Sequence, residues 1–168
     1  KTINLIENYN PITGDITGPV GVLPIQTPVS PDGKAVVLAA TGGQILVIDT
    51  KTDSIVKMFA CDAGCHGANF GAKQGGGYYA YVTSKFSNRL IVVDIDPNND
   101  GDISDADIVG SISMVAGNNV AKDDAISSLA GYGGQGIVAL PNVYNGWVQN
   151  LTTEWASGLT SSQRNPVQ

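Results

Sequence analysis

The sequence predicts an all-β chain built from repeated sheets, and three observations carry that expectation. Glycine is abundant and charge is scarce. Of the 168 residues 21 are Gly, and Asp, Glu, Lys and Arg together make up 14%, against usual shares of about 7% and about 25%. β-Branched and aromatic residues fall in short runs separated by Gly, Pro, Asn, Asp and Ser clusters, the punctuation of strands and turns. The runs recur after about 45 residues, and a strand repeat of roughly 40–50 residues is the signature of a β-propeller blade.

In chain order, residues 1–19 form an extension with one strand over 2–8, bounded by Pro11 and Gly14. Blade one spans 20–60. The turn Ser30-Pro31-Asp32-Gly33 opens into an apolar run over 35–40, and Thr41-Gly42-Gly43-Gln44 turns the chain into a strand over 45–49. Thr50-Lys51-Thr52-Asp53 then leads to a strand over 54–59. Blade two spans 61–115. Its strands cover 79–84, 90–94 and 108–114, with an expanded turn before the last. The Gly-rich stretch 71–77 has no following Lys-Ser/Thr and opens no helix, so it reads as a loop between strands and not as a phosphate loop. Residues 116–168 hold a polar linker over 116–124, a partial third blade and a C-terminal tail. There Gly133-Gly134-Gln135-Gly136 mirrors Gly64-Cys65-His66-Gly67, and a short helix is expected within 146–160.

The length then acquires a meaning. Closed propellers take about four to eight blades, and this chain supplies two with pieces of a third. Open blades leave unpaired strand edges that must be covered or paired. The expectation is an incomplete propeller, finished by other chains in a homo-oligomer or a larger propeller complex, with the head strand able to pair with a neighbour's open edge. The competing all-β reading is a small sandwich of about seven short strands. A formal charge of −6 and a pI near 4.4 exclude a nucleic-acid binder, which needs a basic face. No apolar run approaches the roughly 20 residues of a membrane-spanning helix. The chain begins at Lys1 without a basic-then-apolar leader, which reads as a processed or partial chain.

The sharpest chemical signal is the loop Asp96-Pro97-Asn98-Asn99-Asp100-Gly101-Asp102-Ile103-Ser104-Asp105-Ala106-Asp107. It fits the D-x-[DN]-x-[DN]-G template with an acidic residue at position twelve. Calcium takes six to eight hard oxygen ligands at about 2.3–2.6 Å, so a short loop must fold around it. Asp96, Asn98 and Asp100 would give side-chain oxygens at positions one, three and five. Gly101 permits the sharp turn, Asp102 offers its carbonyl at seven, Ser104 acts at nine through water, and Ile103 points inward as an anchor. Asp107 stands where Glu is usual. The plain competitor is a solvated acidic turn of the kind Asp, Asn and Gly commonly build. The loop aligns with Thr50-Lys51-Thr52-Asp53 of blade one, so it is an insertion at a strand-to-strand turn, flanked by strands instead of the helices of an EF-hand.

Cys61-Asp62-Ala63-Gly64-Cys65-His66 is the second signal, and several readings stay open. A disulfide between Cys61 and Cys65 suits an oxidising compartment and leaves no spare thiol. A c-type haem would use both thiols and His66 as axial ligand, with Met58 or Met114 on the other side, although C-x-x-x-C-H is one residue longer than the usual motif. Copper or zinc at Cys65 and His66 would need ligands from another chain. Free thiols complete the set.

Four segments in register resemble the YVTN-type propeller repeat. Tyr81-Val82-Thr83-Ser84 stands at its name-giving tetrapeptide, Ser30-Pro31-Asp32-Gly33 and Val47-Ile48-Asp49-Thr50 match its other recurrent segments, and His66-Gly67 matches the His-Gly at which its blades begin. The resemblance covers about residues 20–115 and implies fold alone, since propellers host many functions. It implies a structural His66 lining a central opening, with Gln135 in the corresponding place of the third unit. The 96–107 loop in turn resembles dockerin-type calcium loops, in which Asp closes the site.

Weaker signals are the sequon Asn150-Leu151-Thr152, the tyrosines Tyr78, Tyr79 and Tyr81, read as strand packing, and Tyr144, Trp147 and Trp155, which serve equally as a partner anchor or as core. The single His lies in the cysteine loop, so no Ser/His/Asp arrangement is supported, and no catalytic residue is assigned. The reading is therefore an extracellular, secreted or periplasmic structural and interaction module stabilised by Ca2+. Its alternative is a redox protein carrying haem c at Cys61, Cys65 and His66.

Overall fold

A computed structural model describes residues 1–3, 5, 22–62, 64–114, 134–139, 143–144, 147–148 and 152–164. Eight strands build two sheets in strict chain order. The first is β1 (Pro24–Gln26), β2 (Ala35–Ala40), β3 (Gln44–Asp49) and β4 (Ser54–Ala60), and the second is β5 (Cys65–Ala72), β6 (Tyr78–Ser84), β7 (Arg89–Asp94) and β8 (Asp107–Ser113). Every pairing is antiparallel between neighbours in sequence. Among the described residues no strand crosses from one sheet to the other, as the Greek-key connections of a sandwich would require. The fold is all-β, two consecutive four-stranded meanders of the propeller-blade type.

The turns form where local chemistry dictates them. Asp32 accepts from the Ser30 hydroxyl at 2.6 Å and from the Lys34 N–H at 3.2 Å, while the Ser30 hydroxyl accepts from the Ala35 N–H at 2.9 Å. Gly33 takes φ 76° there, the left-handed region that glycine enters without a Cβ penalty. After β3, Asp49 accepts from the Lys51 N–H at 2.6 Å and Asp53 turns left-handed at φ 52°, the usual work of Asx residues in tight turns.

The two sheets repeat each other down to their irregularities. The β3–β4 register slips between Val47 and Ile48, and the β7–β8 register slips between Val92 and Val93, 45 residues further on in each case. Asp49 pairs with Ser54 across four intervening residues, whereas the equivalent Asp94 pairs with Asp107 across twelve. The 96–107 loop is thus an enlarged version of a four-residue turn.

Alternation along the strands divides the core. Val37, Ala39, Ile45, Val47 and Phe59 of the first sheet face Phe70, Ala80, Val82, Ile91 and Val93 of the second, and Ile103 and Ala106 join that cluster. Leu38, Leu46 and Met58 point to the opposite side of the first sheet, against Leu5, Val22 and Ile55. Among the described residues no further strand pairs with β8, along which Val109 is 53% and Ile112 54% exposed.

Two sequence expectations change and one is met. Gly71 and Ala72 close β5, so only the remainder of 71–77 is turn. A Cβ on Gly71 would stand 2.7 Å from the Tyr81 ring and 3.0 Å from Ala139; glycine is there for close approach and not for flexibility. Of the strand expected over 2–8, Thr2 and Ile3 belong to no strand and Leu5 lies in a turn, while Asn4 and residues 6–8 lie outside the described residues. The helix expected within 146–160 is α1 (Thr153–Ser157), and a second short helix, α2 (Ser161–Arg164), follows it. A two-residue hairpin pairs Val143–Tyr144 with Trp147–Val148. The linker 116–124, Asn150 of the sequon, and the side chains of Tyr144, Trp147 and Trp155 lie outside the described residues. Among the described residues no helix is long and apolar enough to cross a membrane.

Candidate functional site

The base of the 96–107 loop is held by a buried ion pair. Lys73, on the β5–β6 turn, donates to both carboxylate oxygens of Asp94 at 3.0 and 3.1 Å and to the carbonyl of Asp96 at 2.8 Å. The two side chains are only 8% and 9% exposed. Burying such a pair is tolerable because all three ammonium donors find acceptors, which offsets the loss of water.

Beyond this base the loop is wound by its own side chains. Asp96 accepts from the N–H groups of Asp100 and Gly101 at 3.1 and 2.8 Å, and Asn98 accepts from Asp100 at 3.0 Å. Asp100 accepts from Asp102 at 2.8 Å, and Asp102 accepts from Ser104 at 2.9 Å. Asn99 and Gly101 take φ 58° and 89°. The chain then enters a single 3₁₀ turn (Ile103–Asp105) capped by Asp102. Ile103 is buried in the core between the sheets, the inward anchor expected at position eight.

The two last acids of the loop part company. Asp107, expected at position twelve, is exposed at the start of β8 and accepts from the N–H of Ile108 at 2.9 Å. Asp105, at position ten, has one carboxylate oxygen shielded from solvent with no hydrogen-bond partner. Loss of water first, then the charges of Asp96, Asp100 and Asp102, push its pKa above the ordinary carboxylate value. Hydrogen bonds from Ser104 instead hold Asp102 below it. Asp105 was not among the donors the template names; the sequence marks it only as a second acid two positions before Asp107. Among the described residues, no three His, Cys, Asp or Glu side chains are gathered closely enough to hold a metal ion. The loop's carboxylates are engaged instead with its own N–H groups. Its donor set is all oxygen, which fits a hard cation.

At the other end of the sheets, Cys61 and Cys65 form a disulfide, with Cα atoms 6.3 Å apart. Around it, Cys61 N–H donates to Gly43 at 2.8 Å and Gly64 N–H to Thr41 at 3.0 Å. Gly64 lies directly under the Phe86 ring at φ 91°, where a side chain has no room. Arg89 grips Asp62 through Nε at 2.7 Å and through a second guanidinium nitrogen. Burial pushes the Asp62 pKa up, yet hydrogen bonds from Arg89 and Ser87 together bring it below the usual value.

His66 is tied elsewhere. Its Nδ1 lies 2.7 Å from the carbonyl of Gln135; a carbonyl only accepts, so Nδ1 carries the proton. Gly67 fits tightly beside Gly136 and Thr83. The 134–139 segment therefore lies against β5, with His66 as its tether. Met58 sits on the far side of the first sheet from Cys65. The terminal methyl of Met114 stands 3.1 Å from where a Cβ on Gly134 would be.

Tyr79 and Tyr81 meet edge to face at 6.3 Å, as strand packing requires. Tyr78 is buried, which with the charge of Asp32 pushes its pKa to about 12. Sequence reading also passed over Gln163 of α2, which is buried and donates to the carbonyls of Lys73 and Gly77. A polar cleft of about 450 Å³ opens between that helix, the 75–78 turn and the loop.

No family model matches the chain, and no curated protein matches it. Among solved structures, the β-propeller domain of Cps50 (Swd1) from Myceliophteria thermophila is similar over 55% of this chain, with 14% identity and a TM-score of 0.42. The chain spans 29% of that domain. The propeller-blade fold stands on the two meanders and their shared register.

Proposed function

We propose that the chain is an extracellular structural and interaction module of YVTN-type propeller blades, stiffened by calcium and completed by other chains. The observation that carries this reading is the loop. Where the first sheet needs four residues to turn, the second uses twelve, rich in oxygen donors, based on a buried ion pair and anchored by Ile103. Asp96, Asn98, Asp100, the Asp102 carbonyl and Ser104 would hold the ion, with Asp107 or Asp105 closing the set. A bound Ca2+ would neutralise the mutual repulsion of the carboxylates, and even a weak site fills at extracellular, millimolar calcium.

Two further observations support the setting. The Cys61–Cys65 pairing suits an oxidising compartment, and it favours a disulfide over covalent haem. Among the described residues β8 has no further strand beside it and carries the exposed Val109 and Ile112, which suits a further blade from another chain or another copy. Calorimetric titration with calcium tests the central reading, and absence of binding at millimolar calcium would reject it. Size-exclusion chromatography tests assembly; a compact monomer at all concentrations would reject self-association.

A further inference from the structure

One side chain at the end of the chain reaches the same turn that holds the calcium loop. Gln163 is 1% exposed. Its amide nitrogen donates to the carbonyls of Lys73 at 2.8 Å and Gly77 at 2.7 Å, and its amide oxygen accepts from the Thr160 N–H at 3.0 Å. Both donors of the amide are used on main-chain carbonyls of another element. A polar side chain in a four-residue helix so fully buried and satisfied marks a built seat, because an unpaired amide there would be costly.

The seat is the β5–β6 turn, closed on itself by Lys73 N–H to Gly77 at 3.0 Å and Gly76 N–H to Lys73 at 3.1 Å. The loop grips the same turn from its other side. The Lys73 ammonium donates to the Asp96 carbonyl at 2.8 Å, and Asn99 Oδ1 lies 2.8 Å from where a Cβ on Gly77 would stand. Asp100 and Gly101 of the loop line the cleft opposite Thr160 and Ser162.

We propose that this turn couples the two. Cation binding by the 96–107 loop fixes the carbonyls of Lys73 and Gly77 and so keeps residues 152–164 seated, and the seated segment in return raises the loop's affinity for the cation. The inference rests on the calcium reading above. Its physical basis is the position of Asp96, at once the first ligand of the loop and a partner of Lys73. Without the cation the loop carboxylates repel one another, the first turn of the loop loosens, and the acceptors that hold Gln163 lose their fixed spacing. Coupling between two binding events is reciprocal, so each must change the other by the same factor.

Hydrogen exchange of the full chain, read by mass spectrometry in calcium and in chelator, tests this alongside calorimetric calcium titration. Calcium is expected to slow exchange of the 152–164 segment about tenfold, within the usual range of coupling factors. Gln163→Met, which keeps the side-chain volume and removes both donors, is expected to abolish that difference and to weaken calcium binding by the same factor. If calcium binds and the segment exchanges at one rate with and without it, the coupling is overturned while the calcium reading stands. If no calcium binds, both fall. Should Gln163→Met not melt cooperatively, the comparison on the unaltered chain decides alone.

Discussion

Replacing Lys73 by Met is the most informative single change. The methionine keeps most of the apolar stem but removes the ammonium, and with it the bonds at 3.0, 3.1 and 2.8 Å to Asp94 and the Asp96 carbonyl. Asp94 then stays 9% exposed with its remaining hydrogen bond a 3.3 Å contact from the Asp96 N–H. Breaking a buried pair by removing one partner costs about 3–5 kcal/mol, whereas removing both is often close to neutral. For a chain of this length each kcal/mol moves the melting temperature by about 2–4 °C, so a fall of roughly 6–20 °C is expected. Urea unfolding followed by circular dichroism, at fixed saturating calcium, gives the stability directly. The double variant Lys73→Met, Asp94→Leu is expected to recover at least about half of the loss, as a coupled buried pair must. A loss below about 1 kcal/mol for Lys73→Met, the range of exposed ion pairs, would refute the reasoning. Strict additivity in the cycle would refute it too.

Other outcomes follow from the same structure. Asp96→Ala removes two loop hydrogen bonds in any buffer and is expected to lower the melting temperature more in calcium than in chelator; an equal fall in both would reject the metal role. Asp105 has a raised pKa, so its contribution is most favourable below its ordinary value near 3.8 and is lost as pH rises through the folded value. Asp105→Asn in chelator is therefore expected to raise the melting temperature at pH 7, with the gain vanishing in acid, while Asp107→Asn is expected to change it little. Asp105→Asn is also expected to weaken calcium binding at least about tenfold, in line with a charged ligand in an oxygen site, and an unchanged affinity would return the closing role to Asp107. The Cys61–Cys65 bridge closes a five-residue loop, so Cys65→Ala is expected to cost about 2 kcal/mol by loop entropy. Intact mass is expected to lie two hydrogens below the reduced value, and a haem-sized gain with a Soret band would reject the disulfide.

Much of this architecture was legible because it is local. The strands of both blades other than β1 and β5 announce themselves by β-branched runs between Asx and Gly turns, and the 45-residue period places them in equivalent sheets. Strand β5 was not legible. Its sequence, Cys65-His66-Gly67-Ala68-Asn69-Phe70-Gly71-Ala72, carries two glycines, a histidine and an asparagine that read as loop. Those glycines are needed because Gly136, Thr83, Tyr81 and Ala139 approach from elsewhere in the chain. The loop was legible as a template, but the template places its last acid by counting. What the template did not foretell is the 3₁₀ turn over Ile103–Asp105 and the shielded, unpartnered Asp105 oxygen, because burial there depends on how Ile103 packs into the core.

What the amino-acid order determined by itself was the repeat, the turn at which the loop is inserted, its oxygen-donor chemistry and the closeness of Cys61 to Cys65. These depend on neighbours within a few residues, where backbone geometry leaves few choices. Only the tertiary structure decided that Lys73 and Asp94 would be buried together, that one Asp105 oxygen would be shielded without a partner, and that Gln163 would find its acceptors in Lys73 and Gly77, 90 and 86 residues away. A polar side chain carries no local mark of burial, because the desolvation that defines it is set by whatever the rest of the chain brings against it.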